Sequence, residues 1–243
     1  MATISSDTID LRETLHSTDA PILPLAIDHW LASSLLQKAI RRGNAELAAR
    51  AVTLFEARGA TIWRRLRVIA FEDVGAGCIE ALCDVVAFGT DKDLRAAAGT
   101  DLQAAIWLAQ RLAHAVKDRT SDYLICSARN HPSLEEARGT IGSRSVADRI
   151  VMVRDESLPL PVRAAAAWYS SGIEWTGEKR VGRGDLSGLL NAFRMLGVTD
   201  KLASATQIAA RKTREPITLM VPLIWLAAFG GEYPDIRDDV PPP

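Results

Sequence analysis

The run from Ser34 to Gly75, SLLQKAIRRGNAELAARAVTLFEARGATIWRRLRVIAFEDVG, constrains the fold more than any other stretch because it repeats one physical pattern three times. On a wheel of about 100° per residue, Leu31, Ala32, Leu35, Leu36, Ala39 and Ile40 fall in one half of the circumference, with Gln37, Lys38 and Arg41 outside it. Gly43 ends that first helix, which should begin near Asp28. Asn44 is placed to cap a second helix with the stripe Leu47, Ala48, Ala51, Leu54 and Phe55, and Glu46 and Arg50 form an i,i+4 pair on its outer side. Gly59 closes it, and Thr61 is the expected cap of a third helix whose face is Ile62, Trp63, Leu66, Ile69, Ala70 and Val74.

Beyond Gly75 the period stays helical, with segments expected near 78–88, 101–117, 120–128, 133–138, 144–153, 160–172, 186–196, 200–211 and 217–228. Asp101 is the expected cap of the second of these. No stretch alternates as a half-buried strand would, and the abundant alanine favours close helix packing. The expected fold is therefore all-α, a multi-helix array of stacked helical hairpins. Residues 1–27 read as an extended arm punctuated by Pro21 and Pro24, and 28–172 as a helical domain. The glycine-rich 173–185 stretch reads as a loop or internal boundary, and 186–243 as further helices with an acidic, proline-rich tail.

Charge is uneven. Residues 34–75 hold eight basic side chains against four acidic ones, while both ends of the chain are acidic. Lys38, Arg41, Arg64 and Arg65 leave the apolar stripes, and Arg42, Arg58 and Arg67 flank them. If the outward four share a surface they can engage phosphates and give salt-sensitive nucleic-acid binding. The alternative is a solvated face or ion pairs with Glu46, Glu56 and Glu72. Asp73 is anomalous because it falls inside the apolar arc at a helix C-terminus, where the dipole disfavours a carboxylate. It requires a cation or backbone N–H donors, which the Gly75-Ala76-Gly77 loop is placed to offer. Glu72 and Asp73 are adjacent, so on a regular helix their side chains diverge and a structural role is the expectation for both.

Enzymatic signatures are missing from the sequence. Gly177 through Gly184 lacks both the lysine and the hydroxyl of a phosphate loop, and no GxSxG elbow occurs. Neither the spacing of His16, His29, His114 and His131 nor that of Cys78, Cys83 and Cys126 suits a metal or a disulfide framework. No metal or cofactor is therefore expected. No leader pattern or long apolar run is present, so the expectation is a cytoplasmic chain without a membrane span. Trp30 lies off its helix's apolar stripe and Trp175 lies in the glycine-rich loop, which marks both as candidate interface anchors.

Ser34, Leu36, Lys38, Ile40 and Arg41, then Arg64-Arg65-Leu66, Ile69-Ala70 and Glu72-Asp73-Val74-Gly75, occur in an order that resembles one known region. It is the helical part that follows the ATPase module in clamp-loader-like AAA+ ATPases of the replication-associated recombination family. The resemblance implies a collar-like helical fold, Glu72, Asp73 and Gly75 as structural elements, and a role in oligomer assembly at DNA forks. Here Ala76-Gly77-Cys78 follows in place of the family's proline, and only residues 1–33 precede the match, so ATP hydrolysis is not implied. The favoured expectation is a non-enzymatic accessory or assembly module for replication or repair machinery. Its partners would be a AAA+ ATPase or another repair protein, DNA, or a second copy. Two alternatives are a small-molecule enzyme with a pocket near His114, Cys126, His131 and 173–185, and a protein-binding inhibitor or adaptor.

Overall fold

The computed structural model of the chain describes residues 28–55, 59–175 and 183–229, and every regular element among them is helical. The opening run forms α1 (His29–Arg41), α2 (Ala45–Thr53) and α3 (Thr61–Ile69), joined by a π-helical turn, Ala70–Val74, and a 3-10 turn, Gly75–Gly77, to α4 (Ile79–Phe88). Asn44 caps α2 by accepting from the Leu47 N–H at 2.9 Å. Thr61 does not cap α3: it is the first helical residue, and Ala60 stands at the cap without a side-chain bond. The third helix also changes character at Ala70, where the expected α-helical turn carries an extra residue per turn.

Downstream run α5 (Lys92–Ala97), α6 (Asp101–His114), α7 (Thr120–Asn130), α8 (Glu135–Ser143), α9 (Val146–Arg154), α10 (Leu160–Ser171), α11 (Leu186–Met195), α12 (Asp200–Thr213) and α13 (Met220–Phe229). Helix α5 was not expected. It is one and a half turns long and is capped by Asp91, too short for an apolar period to show. Thr100, not Asp101, caps α6, in a reciprocal capping box with Gln103. The arm 1–27, Arg58, the middle of the 173–185 loop and the tail from 230 lie outside the described residues.

Helix α2 lies between α1 and α6, α4 packs on α6 and α12, and α10 is surrounded by α7, α8, α9 and α11. Ala164, Ala165, Ala166 and Ala167 of α10 are all buried, so several helices can approach its backbone closely. Residues Met220 through Trp225 of α13 are buried on every side, as a helix apolar all round must be. One apolar core therefore runs from Ala32 to Trp225, and helices on both sides of the 173–185 loop contribute to it. The loop's ends meet: the Asp185 N–H donates to the Ser170 carbonyl at 2.7 Å. A Cβ on Gly184 would lie 2.0 Å from the Gly172 nitrogen, so only glycine permits this crossing.

Arginines, all buried except the half-buried Arg138, close the C-terminal ends of helices, whose last carbonyls lack intrahelical partners. Arg67 donates to the Gly89 carbonyl and Arg95 to that of Phe88 at 2.6 Å, both at the end of α4. Arg149 donates to the Ile141 and Gly142 carbonyls at 2.9 and 2.7 Å, at the end of α8. Arg163 reaches the Val153 carbonyl at 2.9 Å and Arg138 that of His131 at 3.0 Å. Much of the chain's positive charge is thus structural.

Candidate functional site

The densest polar cluster lies where α1, the π-helical turn and the start of α7 meet. An α-helix would turn Glu72 and Asp73 about 100° apart, and the expectation was that they do not converge. Here one amide and one guanidinium bridge them. Gln37 Nε2 donates to Glu72 Oε1 at 2.7 Å and to Asp73 Oδ2 at 2.9 Å. Arg41 Nε donates to Asp73 Oδ1 at 2.6 Å, and Arg41 Nη2 lies 3.3 Å from Glu72 Oε1. Gln37 and Arg41 are four residues apart on α1 and so present one pair of donors to one pair of acids.

Asp73 is wholly buried and takes a second cation, Arg119, whose Nε lies 3.4 Å from Oδ1. Arg119 also pairs with Asp122. The expected cation is therefore present, but it comes from α1 and from residue 119 rather than from donors in the Gly75–Gly77 loop. The π-helical turn releases backbone carbonyls from the regular ladder, and the neighbouring segment occupies two of them. Ser121 Oγ donates to the Phe71 carbonyl, and the Asp118 N–H to the Asp73 carbonyl at 3.1 Å. Gly75 then turns the chain at φ 52°, where a Cβ would come within 2.6 Å of the Asp118 carbonyl oxygen. Backbone conformation and close approach together demand glycine there.

The local electrostatics follow from burial and crowding. Burial, reinforced by the neighbouring Asp73, raises the Glu72 carboxyl above its ordinary value. Burial is the largest single influence on the Arg41 guanidinium and lowers it, but the bond to Asp73 together with the charges of Asp73, Glu72 and Asp122 outweighs that and the net shift is upward. Burial lowers Arg65 and Lys117. Arg65 donates to Gln37 Oε1, and Lys117 donates to the Ala113 carbonyl at 2.7 Å. The network is self-neutralising: Arg41, Arg65 and Arg119 face Glu72, Asp73 and Asp122.

Of the four cations read as outward, Lys38 and Arg64 are exposed, Arg64 at 58 % although it is paired, while Arg41 and Arg65 are not free and correct that expectation. Arg41 and Arg65 point into the network, and Arg64 reaches α12's end, 3.2 Å from both the Thr213 carbonyl and Glu215 Oε1. Lys38 alone of the four is exposed with no ion-pair partner among the described residues. The reason is tertiary: leaving its own helix's apolar stripe brought each arginine to carboxylates or carbonyls on a neighbouring element. Trp30 is 78 % exposed, the most exposed large apolar residue described. Trp175 is not presented as an anchor; it packs edge-on against Trp168 at 5.7 Å with Arg129 over its ring at 4.3 Å.

Gln37, Arg119 and Asp122 were not anticipated as members. Gln37 carried one signal, its i,i+4 spacing to Arg41; the others are more than forty residues from the π-helical turn in sequence. A groove of about 400 Å³ beside the network is lined by Ala76, Gly77, Asp118, Thr120, Leu160 and Ile224. It does not include the pocket expected at His114, Cys126 and His131. Its one carboxylate, Asp118, already accepts from the Thr120 N–H and hydroxyl at 2.9 and 2.5 Å. Burial pushes the Cys83 thiol up to about 12, and burial with Asp122 raises that of Cys126. Both shifts weaken a thiolate nucleophile.

Fold and site together define an all-α protein organised around an internal arginine–carboxylate network, with no helix among the described residues long and apolar enough to cross a membrane. Comparison with protein-family models, with curated proteins and with solved structures returns no match.

Proposed function

We propose that the chain is a non-enzymatic assembly module for DNA replication or repair machinery, acting through protein contacts with a AAA+ ATPase, a related repair protein or a second copy. One observation carries this reading. The residues that resemble the post-ATPase region, scattered over α1, α3 and the π-helical turn, fold onto one another: Arg41 clamps Glu72 and Asp73, while Leu36, Ile40, Leu66, Ile69 and Val74 are buried around them. What is similar to that family is thus the set of groups that shapes a three-helix unit. The charges of Arg41, Arg65, Glu72 and Asp73 are spent on one another and on Gln37, and Arg64 is paired with Glu215, so among the described residues this unit keeps no broad unpaired cationic face. Contacts to DNA phosphate are accordingly the lesser part of the proposal, since only Lys38 and the adjacent Arg42 stay free on this segment among the described residues.

The test is light scattering on the purified chain, alone and mixed with a AAA+ ATPase of that family, beside a DNA titration at two salt concentrations. A defined oligomer or a complex with the ATPase supports the proposal. A monomer that binds neither ATPase nor DNA at low salt overturns it.

A further inference from the structure

The outer face of α1 places two exposed apolar side chains on the same side of one helix as two exposed cations. Trp30 is 78 % and Leu31 58 % exposed, although large apolar side chains of a folded domain ordinarily find cover. Lys38 and Arg42 are exposed with no ion-pair partner among the described residues, whereas Arg41 of the same helix is engaged. At about 100° per residue Trp30, Leu31, Lys38 and Arg42 fall within about a third of the circumference. The other side of α1 is filled by α2 and α6, and the π-helical turn meets α1 beside this face, through Gln37 and Arg41.

The Trp30 ring leans on that of His29 at 5.7 Å, and the His29 ring stands edge-on to the buried Phe55 at 6.0 Å. Most of the indole stays open to a partner, as an anchor residue requires.

We infer that this face docks an acidic amphipathic segment of a partner protein, its apolar side on Trp30 and Leu31 and its carboxylates on Lys38 and Arg42. The inference rests on the assembly reading above and names the chemistry of the partner. Charge complementarity chooses the occupant: two free cations two to three helical turns from an apolar pair fit a peptide with carboxylates beyond its apolar anchors. Nucleic acid is the poorer fit, because two cations neutralise few phosphates and the aliphatic Leu31 offers no stacking surface. At the edge of the face, Gln37 and Arg41 tie α1 to the π-helical turn and so fix the docking helix to its neighbour.

The test uses the full chain and two fluorescein-labelled amphipathic helical peptides with the same leucine pattern, one bearing glutamates and one lysines. Anisotropy should report binding of the glutamate peptide, weakened by salt, and none of the lysine peptide. Trp30→Ala and the pair Lys38→Glu with Arg42→Glu should each weaken it by about tenfold or more. All four side chains are exposed, so circular dichroism of the variants should match wild type. Equal binding of both peptides, no binding of the glutamate peptide, or indifference to Trp30→Ala overturns the proposal. So does tight, steeply salt-dependent binding of a single-stranded oligonucleotide that Trp30→Ala abolishes, or a dimer dissolved by that variant, which would assign the face to a second copy. A complex with a AAA+ ATPase that survives all three substitutions would sink this face and leave the assembly reading standing.

Discussion

Replacing Asp73 by asparagine keeps the shape of the side chain and removes the charge around which α1, the π-helical turn and Arg119 are gathered. Asp73 is completely buried, while the side chains of its partners Arg41 and Arg119 are 34 % and 30 % exposed. Breaking a buried ion pair from one side costs about 3–5 kcal/mol, because the abandoned charge stays desolvated. Here both guanidiniums can recover part of their hydration and Arg41 keeps Glu72, so the lower end, about 3 kcal/mol, is expected. For a chain of this size that corresponds to a fall in Tm of roughly 6–12 °C. Urea unfolding followed by far-ultraviolet circular dichroism should show the midpoint moving with the slope unchanged. A cycle with Arg41→Met should return a coupling of about 1–3 kcal/mol, little altered by added salt. A loss under about 1 kcal/mol, the range of exposed pairs, would refute the view that this network sets the geometry of the unit.

Gly75→Ala should cost about 3 kcal/mol in the same assay, from the strained backbone and the contact with the Asp118 carbonyl; a change within about 0.5 kcal/mol would contradict the close approach. Glu72→Gln tests the raised carboxyl. A group whose folded value is raised binds its proton more tightly when folded, so its contribution is full below the ordinary 4.5 and is lost as pH rises through the folded value. Relative to wild type, Glu72→Gln should therefore gain stability between pH 4.5 and neutrality, and a gap that is flat or narrows over that window would reverse the assignment. Thiol labelling of the native chain followed by peptide mapping should modify exposed Cys126 first and leave Cys83 untouched until the chain unfolds, since Cys83 is buried with its thiol pushed up to about 12; early modification of Cys83 would show that its helix opens locally.

Most helices were legible because the apolar period is a local property. Leu36 and Ile40, or Leu66 and Ile69, identify a buried face through their spacing alone, and each large aliphatic side chain so buried contributes roughly 1.5–3 kcal/mol. Helix α5 escaped because six residues hold too little of a period. The need of Asp73 for a counter-charge was also legible, since a carboxylate inside an apolar arc must be compensated. Which cation would answer was not legible: Arg41 lies 32 residues before it, and Arg119 reaches it from a different helix pair. Wheel position shows only that Arg41, Arg64 and Arg65 leave their own helix's stripe. Glu72, Glu215 and the Thr213 carbonyl stand on other elements, so Arg41 and Arg65 were drawn into the fold and Arg64, still 58 % exposed, was paired at the surface.

Sequence alone determined that this chain is helical and which faces most helices bury, because apolar spacing acts over a few residues, but not every helix end: α2 stops at Thr53, well before Gly59, and α6 at His114 rather than 117. Only the tertiary structure decided the fate of the charges, because an ion pair depends on distance in space and a side chain carries no record of what will stand opposite it. The π-helical turn belongs to that second class: one extra residue in a turn is invisible to periodicity, yet it brings two carboxylates under the same guanidinium.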